Sequence, residues 1–422
     1  MGGDPDSSAR ETGRRSPLRA TWPLVLLGAC ASAQTPAPRE VVVNDAEGRV
    51  VETFEVDGAG RRVGRSETFH AEGSPAGFST WRHGVLDGPF EKRSRDGRQV
   101  YRAEHVRGRV SGDARATRDG KTILEQKWRD GVLVEMNRAA ARPIGAEALA
   151  EELRAILGGE AAGVRPAEGA PEREAALKRL KAYRRLCDVP WKDLRLDDAA
   201  GEACDAAAEV CRRLGRNTHA PERPEGFDAA RFELGRKGAM NSNLWGGGDL
   251  VRSIDAYMDD SDPSNRAHVG HRRWCLNPAM LKTGFGRRGA FTAMWATDKS
   301  GPTPREPRYV SFPPAGCVPT DFFPAHGVWS TSFYAVDVDA AAVKITVETL
   351  DDCYVAWDAP LEIEHLRVAD DRLGGAPALI YRPVAAVVRP GARYRRRISL
   401  DGGKTTCIDH VVEFVDPVVR AR

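Results

Sequence analysis

The chain has 422 residues, with 63 Lys and Arg set against 60 Asp and Glu for a net charge of +3. So even a balance excludes a polyanion-coating protein, which concentrates positive charge, and no nucleic-acid partner is expected; 41% hydrophobic and 29% charged residues exclude a disordered or membrane-embedded chain. At roughly 150 residues per domain the length accommodates two to three domains, each able to bury a core, and 42 Gly and 27 Pro exclude a single helical bundle.

At the amino end, Arg14, Arg15 and Arg19 precede a short apolar run, Trp22 to Ala31, followed by small residues. This is the pattern of a secretory signal, and the run falls short of the roughly 18 apolar residues that a membrane-spanning helix takes. Leu27-Gly28-Ala29-Cys30 resembles a bacterial lipobox, which would make Cys30 a lipidation site and anchor the protein to a membrane surface; the competing reading is cleavage after Ala31-Ser32-Ala33. Residues 1–38 are assigned to this export segment and a short linker, and the expected location is extracytoplasmic, as a cell-envelope lipoprotein or a secreted protein. The eight cysteines contain no CxxC pair, which argues against zinc ribbons and thioredoxin-like sites. Cys204 and Cys211 share a helix face, so one of them either bonds to Cys187 or all three are small buried thiols.

Residues 40–135 are rich in Gly, Arg and β-formers. Trp81-Arg82-His83-Gly84-Val85-Leu86 recurs loosely at His105-Val106-Arg107-Gly108-Arg109-Val110 and again at Trp128-Arg129-Asp130-Gly131-Val132-Leu133, the glycines stepping by 24 and then 23. Asp96-Gly97 and Asp119-Gly120 are also 23 apart, and Asp-Gly between alternating runs is a hairpin signal. Each unit therefore predicts one hairpin stacked on the next. The repeats resemble MORN repeats, a resemblance that implies a surface-presenting or spacing module.

Residues 136–171 are assigned to a linker, within which Ala146–Leu157 predicts a short helix. In 172–302 the apolar spacing predicts helices around Ala176–Cys187, closed by Pro190, and Ala200–Leu214, capped by Asp197 or Asp198 and ended by Gly215. A third stripe, Leu250, Val251, Ile254 and Met258, precedes a strand at Phe291–Ala296. Residues 303–422 carry short runs at Ser330–Val338, Val343–Val347, Leu379–Arg382, Tyr394–Leu400 and His410–Phe414, the spacing of an immunoglobulin-like β-sandwich. The fold class is thus multidomain: β-hairpin repeats, an α/β domain and a β-sandwich.

The middle region resembles the CAP superfamily, the secreted cysteine-rich and pathogenesis-related fold. The resemblance rests on Tyr183-Arg184 with Val189-Pro190, the Ala-rich helix followed by His219, the Ser253–Met258 helix, and Gly270-His271-Arg272-Arg273-Trp274-Cys275-Leu276-Asn277-Pro278 through Gly284-Phe285-Gly286. It implies an α-β-α sandwich with a cleft of two His and two acids, often holding zinc or another divalent ion. Carried over position by position, the histidines are His219 and His271 and one acid is Asp260. The second acid falls in Asn241-Ser242-Asn243-Leu244, where Ser242 stands in place of Glu. A hydroxyl binds a divalent cation more weakly than a carboxylate and removes a general-base candidate, though His219, His271 and Asp260 would suffice for a three-ligand zinc site. His268 is expected at the surface.

Other motifs carry less. Gly284-Phe285-Gly286-Arg287-Arg288-Gly289 matches a dinucleotide fingerprint by letter but precedes a strand instead of opening a helix. Asp259–Asp262 lacks the Gly and Glu of a calcium loop. The chain has no HExxH, G-x-S-x-G or phosphate-binding loop. Arg393–Arg397 is expected on the exposed face or edge of a strand, with weak contact to anionic lipid or polysaccharide as a reading. Two functions follow: a non-catalytic module binding a cell-surface protein, glycan or lipid, favoured by Ser242 and the missing nucleophile, or a metal-assisted hydrolase using His219, His271 and Asp260.

Overall fold

The structure, a computed structural model, describes residues 36–137, 139–140, 145–158, 169–306 and 308–418. The export segment with Cys30 and much of the linker lie outside the described residues.

The hairpin region is one antiparallel sheet of ten strands in sequence order: β1 (Arg39–Asn44), β2 (Val50–Val56), β3 (Arg62–Phe69), β4 (Pro75–Arg82), β5 (Val85–Arg93), β6 (Gln99–Val106), β7 (Arg109–Arg118), β8 (Lys121–Arg129), β9 (Val132–Met136) and β10 (Ala139–Ala140). The repeated glycines mark one edge of it. His83-Gly84, Arg107-Gly108 and Asp130-Gly131 each have both residues at positive φ, the two-residue turn whose twist suits a hairpin. Their amides lock successive units together, Gly84 N–H donating to the Arg62 carbonyl, Gly108 to Leu86 and Gly131 to Val110, at 2.7–2.9 Å. The two Asp-Gly pairs differ: Asp119-Gly120 is a two-residue turn of the same kind, whereas at Asp96-Gly97 only the glycine has positive φ, within a longer loop.

The linker helix α1 (Ala146–Leu157) buries Leu149, Leu153 and Leu157 in the same core as the elements that follow, so it packs instead of spacing. Next come α2 (Ala170–Leu186), β11 (Arg195–Leu196), α3 (Asp198–Leu214), α4 (Ala229–Met240), β12 (Ser242–Trp245), α5 (Leu250–Asp259), α6 (Gly270–Cys275), β13 (Lys282–Thr283), β14 (Phe285–Arg288) and β15 (Phe291–Trp295). Asp197 caps α3 by accepting the Ala200 N–H at 3.0 Å, and Gly215 ends it in the left-handed region. The antiparallel sheet β12-β15-β14 lies between helices. Leu244 and Ala293 pack with Cys204, Ala207 and Cys211 of α3 and Ala239 of α4; Phe285 and Met294 pack with α2 and α5. No disulfide joins the described cysteines, and Cys204 and Cys211 are buried thiols on α3.

The last region forms two four-stranded sheets from β16 (Arg308–Phe312), β17 (Gly316–Pro319), β18 (Trp329–Tyr334), β19 (Lys344–Leu350), β20 (Ile363–Ala369), β21 (Ala378–Pro383), β22 (Arg393–Ser399) and β23 (Ile408–Val415). Their orders are β16-β18-β21-β20 and β17-β23-β22-β19, the β17–β23 pair being parallel. Trp329 of one sheet meets Tyr394 of the other edge-on at 5.8 Å. The Arg393–Arg397 run lies on β22, an interior strand whose alternate arginines are half-buried, which corrects the expectation of an exposed face or edge. Arg393, Arg395 and Arg397 pair with Glu413, Asp409 and Glu348 at 2.6–2.9 Å, and Arg396 is fully buried, donating to the Pro313 carbonyl. A single apolar core runs from α1 to Val418. Among the described residues, no helix is long and apolar enough to cross a membrane.

Candidate functional site

The candidate cleft is organised by the junction of α5 and α6. Helix α5 ends at Asp259, and Asp260 follows in the left-handed region at φ 49°. The chain then turns into α6 through Val269, a buried β-branched residue at φ 41°. Such conformations cost about 1–3 kcal/mol each and persist where surrounding contacts enforce them. Here the contacts are plain. Asp260 Oδ1 accepts the His271 Nδ1–H at 2.9 Å, and Oδ2 accepts the backbone N–H groups of His271 at 3.0 Å and Arg272 at 3.4 Å. The carboxylate is 1% exposed and the imidazole 20%. With Nδ1 held by an acceptor-only group, a neutral His271 carries its proton there and presents Nε2 as an acceptor, for which there is no hydrogen-bond partner among the described residues. The Tyr257 ring lies 5.5 Å from the imidazole, and its hydroxyl donates to the Asn243 carbonyl at 3.0 Å. Asn243 in turn donates to the His271 carbonyl at 3.0 Å.

Asp260, His271 and Asn243 are therefore joined in one network. The other two predicted residues are held elsewhere. Exposed His219 donates Nδ1–H to the Ala239 carbonyl at the end of α4, at 2.8 Å. Ser242 is buried with its hydroxyl 3.4 Å from Cys204 Sγ. Strand alternation explains this: neighbours on β12 point to opposite faces, Ser242 with Leu244 toward α3 and Asn243 toward α5 and α6. No hydrogen bond or ion pair links His219 to Asp260 or His271 among the described residues. The thiols near the site are poor nucleophiles. Burial pushes Cys204 up to about 12, and burial together with the Asp260 charge pushes Cys275 far above the ordinary thiol range.

Sequence reasoning missed the arginines of the same signature. Arg272 is fully buried and donates to the carbonyls of Met258 at 2.7 Å, Val328 at 2.8 Å and Asp259. Arg273 and His268 both bind Asp371, each at 2.6 Å. Arg184 donates to the carbonyls of Pro190, Cys275, Asn277 and Met280 at 2.8–3.1 Å. Three arginines in short motifs that also hold apolar residues were the available signal. Two glycines of the letter-perfect dinucleotide match are packing residues, a Cβ on Gly284 standing 2.3 Å from the Gly201 nitrogen and one on Gly286 2.1 Å from that of Asp205, while Gly289 occupies a turn at positive φ.

Two other features lie apart from this site. A cavity of about 730 Å³ opens among the β8–β9 turn, the end of α2 and strands β16, β17 and β23; none of the predicted site residues lines it. Asp351, Asp352 and Cys353 are the one group of three potential metal ligands within 4.8 Å of one another among the described residues. Asp351 is already spent there, accepting from the Cys353 and Val355 amides, Trp357 Nε1 and Lys92 Nζ at 2.7–3.0 Å.

No family model matches the chain, and a search of curated proteins finds no relative.

Proposed function

We propose that the chain is an exported cell-envelope or secreted binding protein, in which MORN-like hairpins and an immunoglobulin-like sandwich flank a CAP-like domain with a non-catalytic cleft. The observation that carries this reading is the state of Asp260. Its oxygens accept from the His271 ring and two backbone amides, and the carboxylate is 1% exposed, so it orients the imidazole from the Nδ1 side, away from Nε2. No hydroxyl or thiol is hydrogen-bonded to His271 among the described residues, which leaves the imidazole without a side-chain nucleophile to activate. What remains is a half-buried acceptor beside an aromatic ring, suited to a ligand's hydrogen-bond donor.

The CAP-like assignment is supported by the three layers around β12-β15-β14. The immunoglobulin-like assignment is supported by strand order. In chain order the eight strands fall into an A-B-E-D sheet and a sheet holding C, F and G. Tyr394, on the strand equivalent to F, donates its hydroxyl back to the Val387 carbonyl at 3.0 Å, as a tyrosine corner does.

A metal-assisted hydrolase is the second reading. It is favoured by one observation: His219 and His271 each have Nδ1 tied to an oxygen acceptor, the arrangement that prepares Nε2 for a metal. Imidazole is a zinc ligand by type, but no contact joins His219 to His271 among the described residues, and Asp260, bonded to the Nδ1 side of His271, does not fit as a third ligand. A zinc ion would supply a polarised water at neutral pH. The test is hydrolysis of peptide and ester panels with and without added zinc. The proposal expects no turnover above that of His271→Ala; zinc-dependent turnover lost in His271→Ala would establish the hydrolase.

A further inference from the structure

The hairpin sheet is docked on the loop between β19 and β20. Lys92 of β5 binds Asp351 at 2.7 Å, Gln99 of β6 donates to the Ala356 carbonyl at 2.8 Å, and Gln126 of β8 donates to that of Cys353 at 3.0 Å. The Trp128 and Tyr354 rings meet at 5.6 Å. Along β6 the alternate residues Gln99, Tyr101, Ala103 and His105 are buried while those between them are exposed or half-buried, so His105 belongs to the row that faces this loop.

His105 is out of place in that row. It is 7% exposed. Its Nδ1 is buried with no hydrogen-bond partner, and its ring packs against Phe90 at 5.1 Å. Across β7 it is paired with Val110 and across β5 with Gly88, neither of which carries charge. From the loop, Asp352 is the charged group that acts on it. Lys92, further along β5, is held by Asp351 and lies 3.6 Å from Asp352.

We infer that the seam between the hairpin sheet and the 351–357 loop is a proton-sensitive latch governed by His105, closed near neutral pH and loosened by mild acidification. A neutral imidazole suits the apolar seam; a protonated one brings a charge and a second N–H donor into a place where Nδ1 has no acceptor. Burial holds the His105 pKa below its ordinary value, outweighing the opposite pull of Asp352. The docked state thus binds fewer protons than the undocked one. The latch is at full strength above the ordinary imidazole value of about 6.5 and weakens as the pH falls through it. The device rests on the fold alone, not on the proposed function.

The experiment is hydrogen–deuterium exchange of the full mature chain at about pH 7.5 and about pH 5, corrected for intrinsic exchange rates, followed in peptides covering 99–106 and 351–357. Wild type should exchange about threefold faster or more in both peptides at the lower pH, while His105→Gln should show no such acceleration. His105→Phe, which keeps a ring against Phe90, serves as the second variant if the glutamine disturbs folding. Equal corrected rates at both pH values in wild type, or the same acceleration in the variants, would overturn the latch.

Discussion

Asp260 holds His271 by two bonds of different kinds, a ring contact at 2.9 Å from one oxygen and a backbone contact at 3.0 Å from the other. One carboxylate therefore fixes both the start of α6 and the tautomer of its first polar side chain. Replacing it separates the two roles. Asp260→Ala leaves buried amides and an imidazole without their acceptor and should lose about 2–4 kcal/mol in urea unfolding. Asp260→Asn keeps an oxygen for the amides and should lose about 1–2 kcal/mol. Its side-chain NH2 facing Nδ1 should drive the His271 proton to Nε2, a change that ¹⁵N ring shifts report directly. An unchanged tautomer in the asparagine variant would mean that the carboxylate does not set it.

Arg272 joins α6 to the sandwich through the Val328 carbonyl and the Ser330 hydroxyl. No carboxylate is bonded to its guanidinium among the described residues, and burial lowers its pKa to about 10. Arg272→Met should cost about 3–5 kcal/mol, because several carbonyls lose their donor together. Residues 172–302 expressed alone should lack a cooperative unfolding transition, since their core is shared with β16–β23. A cooperative melt from that fragment would show the shared core to be dispensable.

Gly286→Ala places a methyl against the backbone of α3 and should lower stability by about 2–3 kcal/mol, read as a fall in Tm. Dinucleotides should leave the Tm of wild type unchanged. A ligand-induced rise would reinstate the phosphate-binding reading that the packing argues against.

The Arg393–Arg397 run should contribute nothing to membrane binding, because each of its half-buried guanidinium groups, Arg393, Arg395 and Arg397, already has a carboxylate. Sedimentation of the chain with phosphatidylserine vesicles should be the same for wild type and Arg395→Ala. A clear loss in the variant would mean that the ion pairs open at a surface.

The elements legible in the sequence are those whose local chemistry has one solution. Asp119-Gly120 and the glycines at 84, 108 and 131 fix turns because few residues accept positive φ, and the Asp197 and Gly215 caps delimit α3. Helix α4 was illegible for the opposite reason. Its contact with α3 is made through Gly235 and Gly238, where a Cβ would stand 2.7 and 2.0 Å from carbonyl oxygens of α3, and glycine lowers helix propensity wherever it permits such an approach. The basic run misled because its partners, Glu348, Asp409 and Glu413, come from strands that only pairing brings alongside. At the cleft, His219, His271 and Asp260 were expected together as one ligand set, whereas the structure bonds only His271 and Asp260 to each other. The direction of Ser242 depends on the register of β12, which spacing does not disclose.

The cleft proposed here presents an oriented imidazole and does not assemble a catalytic metal centre. The decisive measurement is calorimetric titration of the full chain with zinc, beside His219→Ala and His271→Ala. No saturable one-to-one binding that both substitutions abolish is expected. Stoichiometric binding lost in each folded variant would contradict it, placing both imidazoles on one metal and moving the hydrolase reading to the front.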